Sequence, residues 1–308
     1  MQDYAVNEML EEGNVQKSIM PVSTNTQNRI CQGNKLVMGV QNLTLNEKKL
    51  ISLAFLQIMN DDLDFNWYKV SPPEFARLIG NSNPTNVYHH VKDLTKSLMH
   101  KQLQIRKEDG SLLSINWMSA CNYNDRTKMI EFRLNSDLKP FLLGLAQSGY
   151  YTQYTADCIM SMSSVHAIRI FELIQAKIMR KTLPTNGVHV TLRRDEIVEA
   201  LRLYKVDPET DEIIVDPVTK MPIERYTSTQ LRERVIAISC REITKLTSFF
   251  VPYDLSDDSK REHCVRFIKE GREIVAFEFY VNMKYHEGLT SEMIESVENR
   301  DNFIKITA

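Results

Sequence analysis

Apolar residues recur at helical spacing three times in the first half of the chain, and each run carries its own boundary signals. Leu50, Leu53, Ala54 and Ile58 share one face of a predicted helix at 44–59. Thr44-Leu-Asn-Glu47 in front of it is a capping box, a hydroxyl and a carboxylate placed to satisfy each other's backbone donors. A short strand is predicted at 67–70. Ser71-Pro72-Pro73-Glu74 reads as a second capping box, with Pro72 at the first helical position, where no amide bond is lost. That helix stops at Gly80, a good C′ residue. The third helix begins after Asn83-Pro84 and runs to about residue 100, with Val87, Val91, Leu94 and Leu98 as its apolar stripe. The period then changes from helical to two. Leu103/Ile105 and Leu113/Ile115/Trp117 flank Asp109-Gly110, the signature of a β-hairpin. A further strand at 129–134 and a short helix at 136–145 close this half.

The second half repeats the order. Helices are predicted from Ser163 or Ser164 to about 180, at 193–203 and at 227–247, the last opened by the capping box Thr227-x-x-Gln230. A strand lies at 188–192. A final hairpin pairs Val265/Phe267 with Val275/Phe277/Phe279 and turns at Glu270-Gly271. First helix to first helix (44→163) is a shift of 119, short helix to short helix (71→193) 122, and third to third (84→227) 143. The excess matches an insertion at about 205–226, in which Val206-Asp207-Pro208-Glu209-Thr210 recurs as Val215-Asp216-Pro217-Val218-Thr219. It reads as an acidic surface hairpin, or simply as an inert variable loop. Helix, strand, helix, turn, helix, hairpin is the order of a winged helix. The predicted fold class is therefore α+β: two tandem winged-helix domains, each a helix-turn-helix plus a β-hairpin wing, related by internal duplication. The boundaries follow as a flexible N-terminal arm at 1–34, domain 1 at 35–150, domain 2 at 151–285 and a C-terminal tail at 286–308.

Composition narrows the possible functions. The 308 residues are 43% hydrophobic and 25% charged, with 38 basic against 40 acidic side chains and a net charge of −2. A uniformly basic coat is excluded, so any nucleic acid must be met by a local patch. No unbroken apolar run of membrane-spanning length occurs, and the N-terminus has no basic segment followed by an apolar core. The five scattered cysteines suit reduced thiols. A cytoplasmic protein without membrane contact is expected.

The helix at 227–247 carries the strongest functional signal. At 100° per residue, Gln230, Arg234, Arg241 and Lys245 fall within an arc of about 60°, with Leu231, Val235, Ile238 and Leu246 on a separate arc towards the core. Arginine reads guanine bidentately, and glutamine reads adenine. Thr229, Arg232 and Glu233 lie in the first turns, which usually enter the groove. The competing reading is a solvated charged face. Arg193 and Arg194 sit at a helix N-terminus, poorly placed for the macrodipole; they serve a phosphate or pair with Asp195 or Glu196. In domain 1, Thr85, His89, Lys92 and Lys96 share a face of the third helix, Asn86 is its one base reader, and Arg106 and Lys107 sit near the hairpin turn. These, with Lys269 and Arg272 around Gly271, are expected to hold DNA backbone rather than to read bases. Again a solvated face competes.

Enzymatic readings find no support. There is no P-loop, C-x-x-C or H-E-x-x-H stretch. Tyr150, Tyr151 and Tyr154 could offer a nicking nucleophile, but His89-His90 are adjacent and diverge by about 100° on a helix, unlike a metal pair. Asp61-Asp62-x-Asp64 reads as a solvated turn. No enzyme, cofactor or metal is expected.

On these residues the chain resembles, over about 35–285, the replication initiator proteins of iteron-containing, theta-replicating plasmids. The resemblance rests on Leu43-Thr-Leu-Asn-Glu-Lys-Lys-Leu-Ile51, on Ser164-Val-His-Ala-Ile-Arg-Ile-Phe-Glu-Leu-Ile174, and on Leu231-Arg-Glu-Arg-Val235 followed by Arg241-Glu-Ile-Thr244. It implies that domain 2 reads origin repeats in the major groove, while domain 1 holds backbone and takes part in dimerisation. Monomers would bind direct repeats (iterons) and start replication; dimers would repress the initiator's own gene. Host replication proteins, such as the helicase and the host initiator, would be recruited. Arg232 and Arg234 fall where family members carry DNA-contacting arginines; Glu233 departs, since a third basic residue is common there. Two other readings stay open: a dimeric winged-helix transcriptional repressor, and a protein-interaction module whose winged helices bind no DNA.

Overall fold

The computed structural model describes residues 29–59, 62–80, 86–178, 183–254 and 262–284, with residues 291 and 294. The first unit runs β1 (Arg29–Gly33), α1 (Asn34–Met38), β2 (Val40–Gln41), α2 (Leu45–Leu56), β3 (Tyr68–Val70), α3 (Pro72–Leu78), α4 (Val87–His100), β4 (Gln102–Arg106), β5 (Leu112–Asn116), β6 (Met118–Asn124), β7 (Met129–Leu134), α5 (Lys139–Leu142) and α6 (Leu145–Ser148). The second runs β8 (Tyr151–Thr155), α7 (Ala156–Ser161), α8 (Val165–Ile178), β9 (Val188–Arg193), α9 (Arg194–Ala200), α10 (Ser228–Leu231), α11 (Ile238–Leu246), β10 (Phe249–Phe250), β11 (Arg266–Glu270) and β12 (Glu273–Met283). These are two tandem winged helices of one α+β fold.

Each unit opens on a strand and a short helix that the periodicity did not reveal. β1 and β8 pair antiparallel, Arg29 opposite Thr155 and Gly33 opposite Tyr151, so the start of one unit is stitched to the start of the other. The expected arm at 1–34 is therefore corrected: from Arg29 the chain is structured, with Ile30 and Gln32 fully buried, while 1–28 lie outside the described residues. Five residues are too short to show a period.

Local chemistry explains most boundaries. Thr44 and Glu47 form the capping box that starts α2. The box expected at Ser71 is absent, because Ser71 makes no side-chain cap bond; the two prolines at the start of α3 leave fewer amides to cap. Gly80 ends α3 at φ +72°. The short helix expected at 136–145 breaks into a 3-10 turn, α5 and α6, interrupted by Gly144 at φ +62°. The first wing has Leu103 opposite Ile115 and Ile105 opposite Leu113, and all but the half-buried Leu113 are buried. The second has Phe267 opposite Phe277, and its long strand β12 also pairs with β9 and β10.

The insertion is not a hairpin. Lys205 N–H donates to Ile223 O (2.8 Å), Ile214 N–H to Lys205 O (2.9 Å) and Ile223 N–H to Ile214 O (2.9 Å). Three limbs nine residues apart thus close a ring of backbone bonds. The repeated pentapeptide is its turn chemistry: Asp207 Oδ1 accepts from Glu209 and Thr210 N–H, and Asp216 Oδ1 from Val218 and Thr219 N–H.

One hydrophobic core runs through both units, and a cluster of buried charge sits at the seam. Lys48 of α2 and Glu172 of α8 have fully buried side chains 2.9 Å apart, and Arg169 Nη1 reaches Glu172 Oε2 at 2.7 Å. Burial alone would push the Glu172 carboxyl up; Lys48 and Arg169 outweigh that and hold it at about 2. Burial pushes Lys48 down to about 8; the Arg169 cation adds to the fall and the Glu172 carboxylate opposes it. The two stretches quoted first for the family resemblance therefore meet: Lys48 comes from one, Arg169 and Glu172 from the other.

Candidate nucleic-acid interface

The helix of the second unit at 228–246 starts as predicted. Thr227 Oγ1 accepts from Gln230 N–H at 3.3 Å, and Gln230 Oε1 accepts from Thr227 N–H at 3.1 Å. This ties Gln230's carbonyl oxygen into the cap, which removes half of the bidentate set needed to read adenine.

Between α10 and α11 the segment Arg232–Ala237 is π-helical. A π turn takes an extra residue, so everything after it is rotated by roughly 100° from where an uninterrupted α-helix would place it. The burial pattern records this. Val235/Ile236, Ser239/Cys240 and Ile243/Thr244 are buried pairs four residues apart, whereas Ile238 and Leu246, expected in the core, are half-buried. The outward row is accordingly Thr229, Glu233, Ala237, Arg241 and Lys245, with Arg234 beside it. Thr229, Glu233, Arg234 and Lys245 are exposed and Arg241 is half-buried. Among the described residues no ion pair ties down Arg234 or Lys245. Lys245 also sits in the last turn, where a cation suits the macrodipole.

Arg232 points elsewhere. Its guanidinium carbon lies 4.4 Å from the centre of the Phe267 ring on β11, and its buried Nε has no hydrogen-bond partner. It braces the helix against the wing by a cation–π contact. At the tip of that wing Lys269 and Arg272 are exposed on either side of Gly271, which holds φ +61°.

The paired arginines at the start of α9 divide their roles. Arg193 forks onto Asp195 at 3.0 Å on the surface. Arg194 binds Glu224 at 2.6 Å and Ser228 Oγ at 2.6 Å, tying the end of the insertion to the first turn of α10. Glu242, which the sequence did not single out, faces the other way: it accepts from Ser163 N–H and Oγ and from Ser164 N–H, capping the approach to α8.

In the first unit, Asn86, His89 and Lys96 are exposed on or beside α4, and Thr85 lies outside the described residues. Lys96 reaches Asp93 at 3.4 Å, a surface contact of small worth. Lys92 lies 4.9 Å from the Tyr123 ring and 5.6 Å from the Tyr88 ring, with Asp125 at 3.5 Å. Desolvation and the Asp125 carboxylate push the Tyr88 hydroxyl up to about 12. Lys128, on the β6–β7 turn, stacks 4.9 Å over the other tyrosine contact, Tyr88, and adds a cation that only the tertiary structure brings here. Arg106 leaves the expected patch and pairs with Glu199 of α9 across the seam at 3.2 Å; Lys107 stays exposed at the first wing.

Chemistry elsewhere is sparse. Among the described residues no group of His, Cys, Asp and Glu could hold a metal, and no helix is long and apolar enough to cross a membrane. Asp64 is paired with Lys139 at 2.9 Å. Tyr154, weighed as a nucleophile, is buried with its hydroxyl donating to Glu172 at 2.5 Å, and burial and that carboxylate raise its pKa far above the ordinary value.

The family model described as "Initiator Replication protein, WH1" matches residues 29–175. No curated protein sequence gives a significant match. Among solved structures, the Pi initiator protein in complex with iteron DNA superposes with a TM-score of 0.61 at 18% identity, covering 84% of this chain and 99% of that one. That likeness is one of fold, and it extends over both winged helices. The WH1 domain of MSBI1.176, a replication protein isolated from a multiple sclerosis patient, is 25% identical over 32% of this chain and 79% of its own, with a TM-score of 0.25. Domains 2 and 3 of RctB are 10% identical, covering 78% and 82%, with a TM-score of 0.41.

Proposed function

The chain belongs, through residues 29–175, to the replication initiator family, and on that premise we propose that it is a sequence-specific double-stranded DNA-binding protein that starts plasmid replication at direct repeats. The observation that carries this reading is the outward row of the 228–246 helix, with Thr229, Glu233, Arg234 and Lys245 exposed next to a wing that presents Lys269 and Arg272. The Pi initiator protein, which this chain resembles in fold, is crystallised in complex with iteron DNA. Arg234 and Thr229 read bases, and Glu233 accepts from cytosine N4. Arg241, Lys245, Lys269 and Arg272 hold phosphates. Asn86, His89, Lys92, Lys96 and Lys107 do so at the other end of the site. Arg193, in the second unit, joins the phosphate-holding residues once DNA phosphate displaces Asp195. Arg232, Arg194, Arg106 and Gln230 support the surface from behind.

On this reading monomers occupy the repeats, a homodimer represses the protein's own gene, and host replication proteins such as the helicase and initiator are recruited. The protein itself performs no catalytic step and uses no cofactor. A footprint on the DNA flanking its gene tests the whole reading: protection of a repeat array beside an AT-rich tract is the expected result. Protection of a lone inverted repeat would assign a repressor instead. Six to eight neutralised phosphates predict that log K falls with log[salt] at a slope of about −5 to −7, and a slope near zero would refute the patch.

A further inference from the structure

We propose that the buried Lys48–Glu172–Arg169 cluster is a positioning device that sets the rotational phase between the two DNA-reading helices, α4 and the 228–246 helix. The proposal rests on the DNA-binding reading above, but the geometry that suggests it lies wholly inside the protein.

Three polar contacts, joined by the backbones of α2 and α8, link the two helices through this cluster. Lys101, directly after α4, binds Glu47 of α2 at 2.7 Å, with Glu47 almost fully buried. The next residue, Lys48, binds Glu172 of α8 at 2.9 Å. The segment leading into α8 is held by Glu242 of α11 through Ser163 and Ser164. Each DNA-reading helix is thus one side-chain contact away from a helix, or the approach to a helix, that carries part of the cluster.

The cluster tolerates only one geometry. Glu172 Oε1 accepts from Lys48 Nζ, from Gln32 Nε2 at 2.7 Å and from Tyr154 OH at 2.5 Å, while Oε2 accepts from Arg169 Nη1. Arg169 Nη2 donates to Val37 O at 2.6 Å and Gly39 O at 3.0 Å, the carbonyls at the end of α1. Lys48 also reaches Gln41 Oε1 at 3.0 Å. Five of these residues, Gln32, Val37, Gly39, Gln41 and Lys48, belong to the first unit and three, Tyr154, Arg169 and Glu172, to the second. The β1–β8 ladder joins the units along a single edge, and the apolar packing beyond it is non-directional and lets two surfaces slide. A dry charge cluster does not, since rotating one unit against the other strands a buried charge without its partner. Arg106–Glu199, another ion pair across the seam, is solvent-exposed and weak by comparison.

Phase matters because successive base pairs turn about 35°, so two patches on one face of a duplex stay on that face only at particular spacings. The test has two arms. In the first, spin labels introduced without cysteine chemistry at His100 and Ser248, both exposed and outside the DNA patches, report the interunit distance in the DNA-free full chain. Wild type should give one narrow distribution. The triple variant Lys48→Met, Arg169→Met, Glu172→Leu replaces the charges by apolar groups of similar volume, a change buried ion pairs often tolerate, and its distribution should at least double in width. Arg169→Lys keeps the charge but loses the fork onto Val37 and Gly39, and should broaden it by an intermediate amount. In the second arm, a duplex selected by the wild-type chain from a random-sequence library is altered by inserting one or two base pairs between its two protected patches. Wild type should lose at least tenfold in affinity on insertion, whereas the triple variant should bind every spacing within about threefold. A triple variant, or Arg169→Lys should the triple not fold, that keeps both the narrow distribution and the sharp spacing dependence overturns the proposal. A wild-type chain that selects no duplex refutes the DNA-binding reading, and the distance arm still decides the positioning role.

Discussion

Arg232 and Arg234 stand two positions apart on one helix and have opposite duties. The first stacks on Phe267 and holds the wing to the helix; the second extends into solvent. Removing Arg234 should lower affinity for the recognised repeat by about 10- to 100-fold, on the order of 1–3 kcal/mol, and relax discrimination at one base pair. Lys96→Ala should weaken all sequences alike, because a phosphate contact carries no base information. Equilibrium binding to the repeat and to a scrambled duplex separates the two outcomes. The residue types in this helix were enough to mark it as the reading surface. Which of its polar side chains face outward was not legible, because the sequence does not show that Gln230 closes its own helix cap or that an aromatic ring waits for Arg232.

At the scale of the element, the π-helical turn at Arg232–Ala237 decides the register of everything after it. A row extrapolated at 100° per residue selects Gln230, Arg234, Arg241 and Lys245. The observed four-residue steps select Thr229, Glu233, Ala237, Arg241 and Lys245 instead. No local propensity announces a π turn; this one lies where the helix packs against α8 on one side and Arg232 meets the wing on the other. Its N-terminal boundary, by contrast, is local chemistry. Thr227→Ala removes the cap on this helix and should cost about 1 kcal/mol, read as a lower midpoint in chemical denaturation at unchanged slope. Since the first turn carries Thr229, DNA affinity should fall with it, whereas capping of α2 by Thr44 is untouched.

For the whole molecule the seam sets both stability and function. The Glu172 carboxyl is held at about 2, against 4.5 when free, by Lys48 of α2, Arg169 of its own helix and the Tyr154 hydroxyl of β8. A group depressed on folding stabilises fully above its free value, and this contribution is lost as pH falls from about 4.5 towards 2. The integrated effect is on the order of 3 kcal/mol. Urea titrations at stepped pH should therefore show a steep acid limb in wild type, and Glu172→Gln should flatten it while lowering stability at neutral pH. An unchanged acid limb would mean that Glu172 is not ionised in the fold.

The chain's own pattern settles the content of the molecule: two helix-turn-helix units with wings, the turns between them, and a helix rich in arginine. Those features depend on spacing within about twenty residues, where periodicity and capping act. The structure alone decides how the units meet. Lys48 and Glu172 are 124 positions apart, and no local rule pairs them. The same holds for the β1–β8 stitch, for Arg106 reaching across the surface to Glu199, and for Lys128 arriving beside α4. Each depends on burial and charge being satisfied at once across the seam, and these constraints exist only when the whole chain has closed on itself.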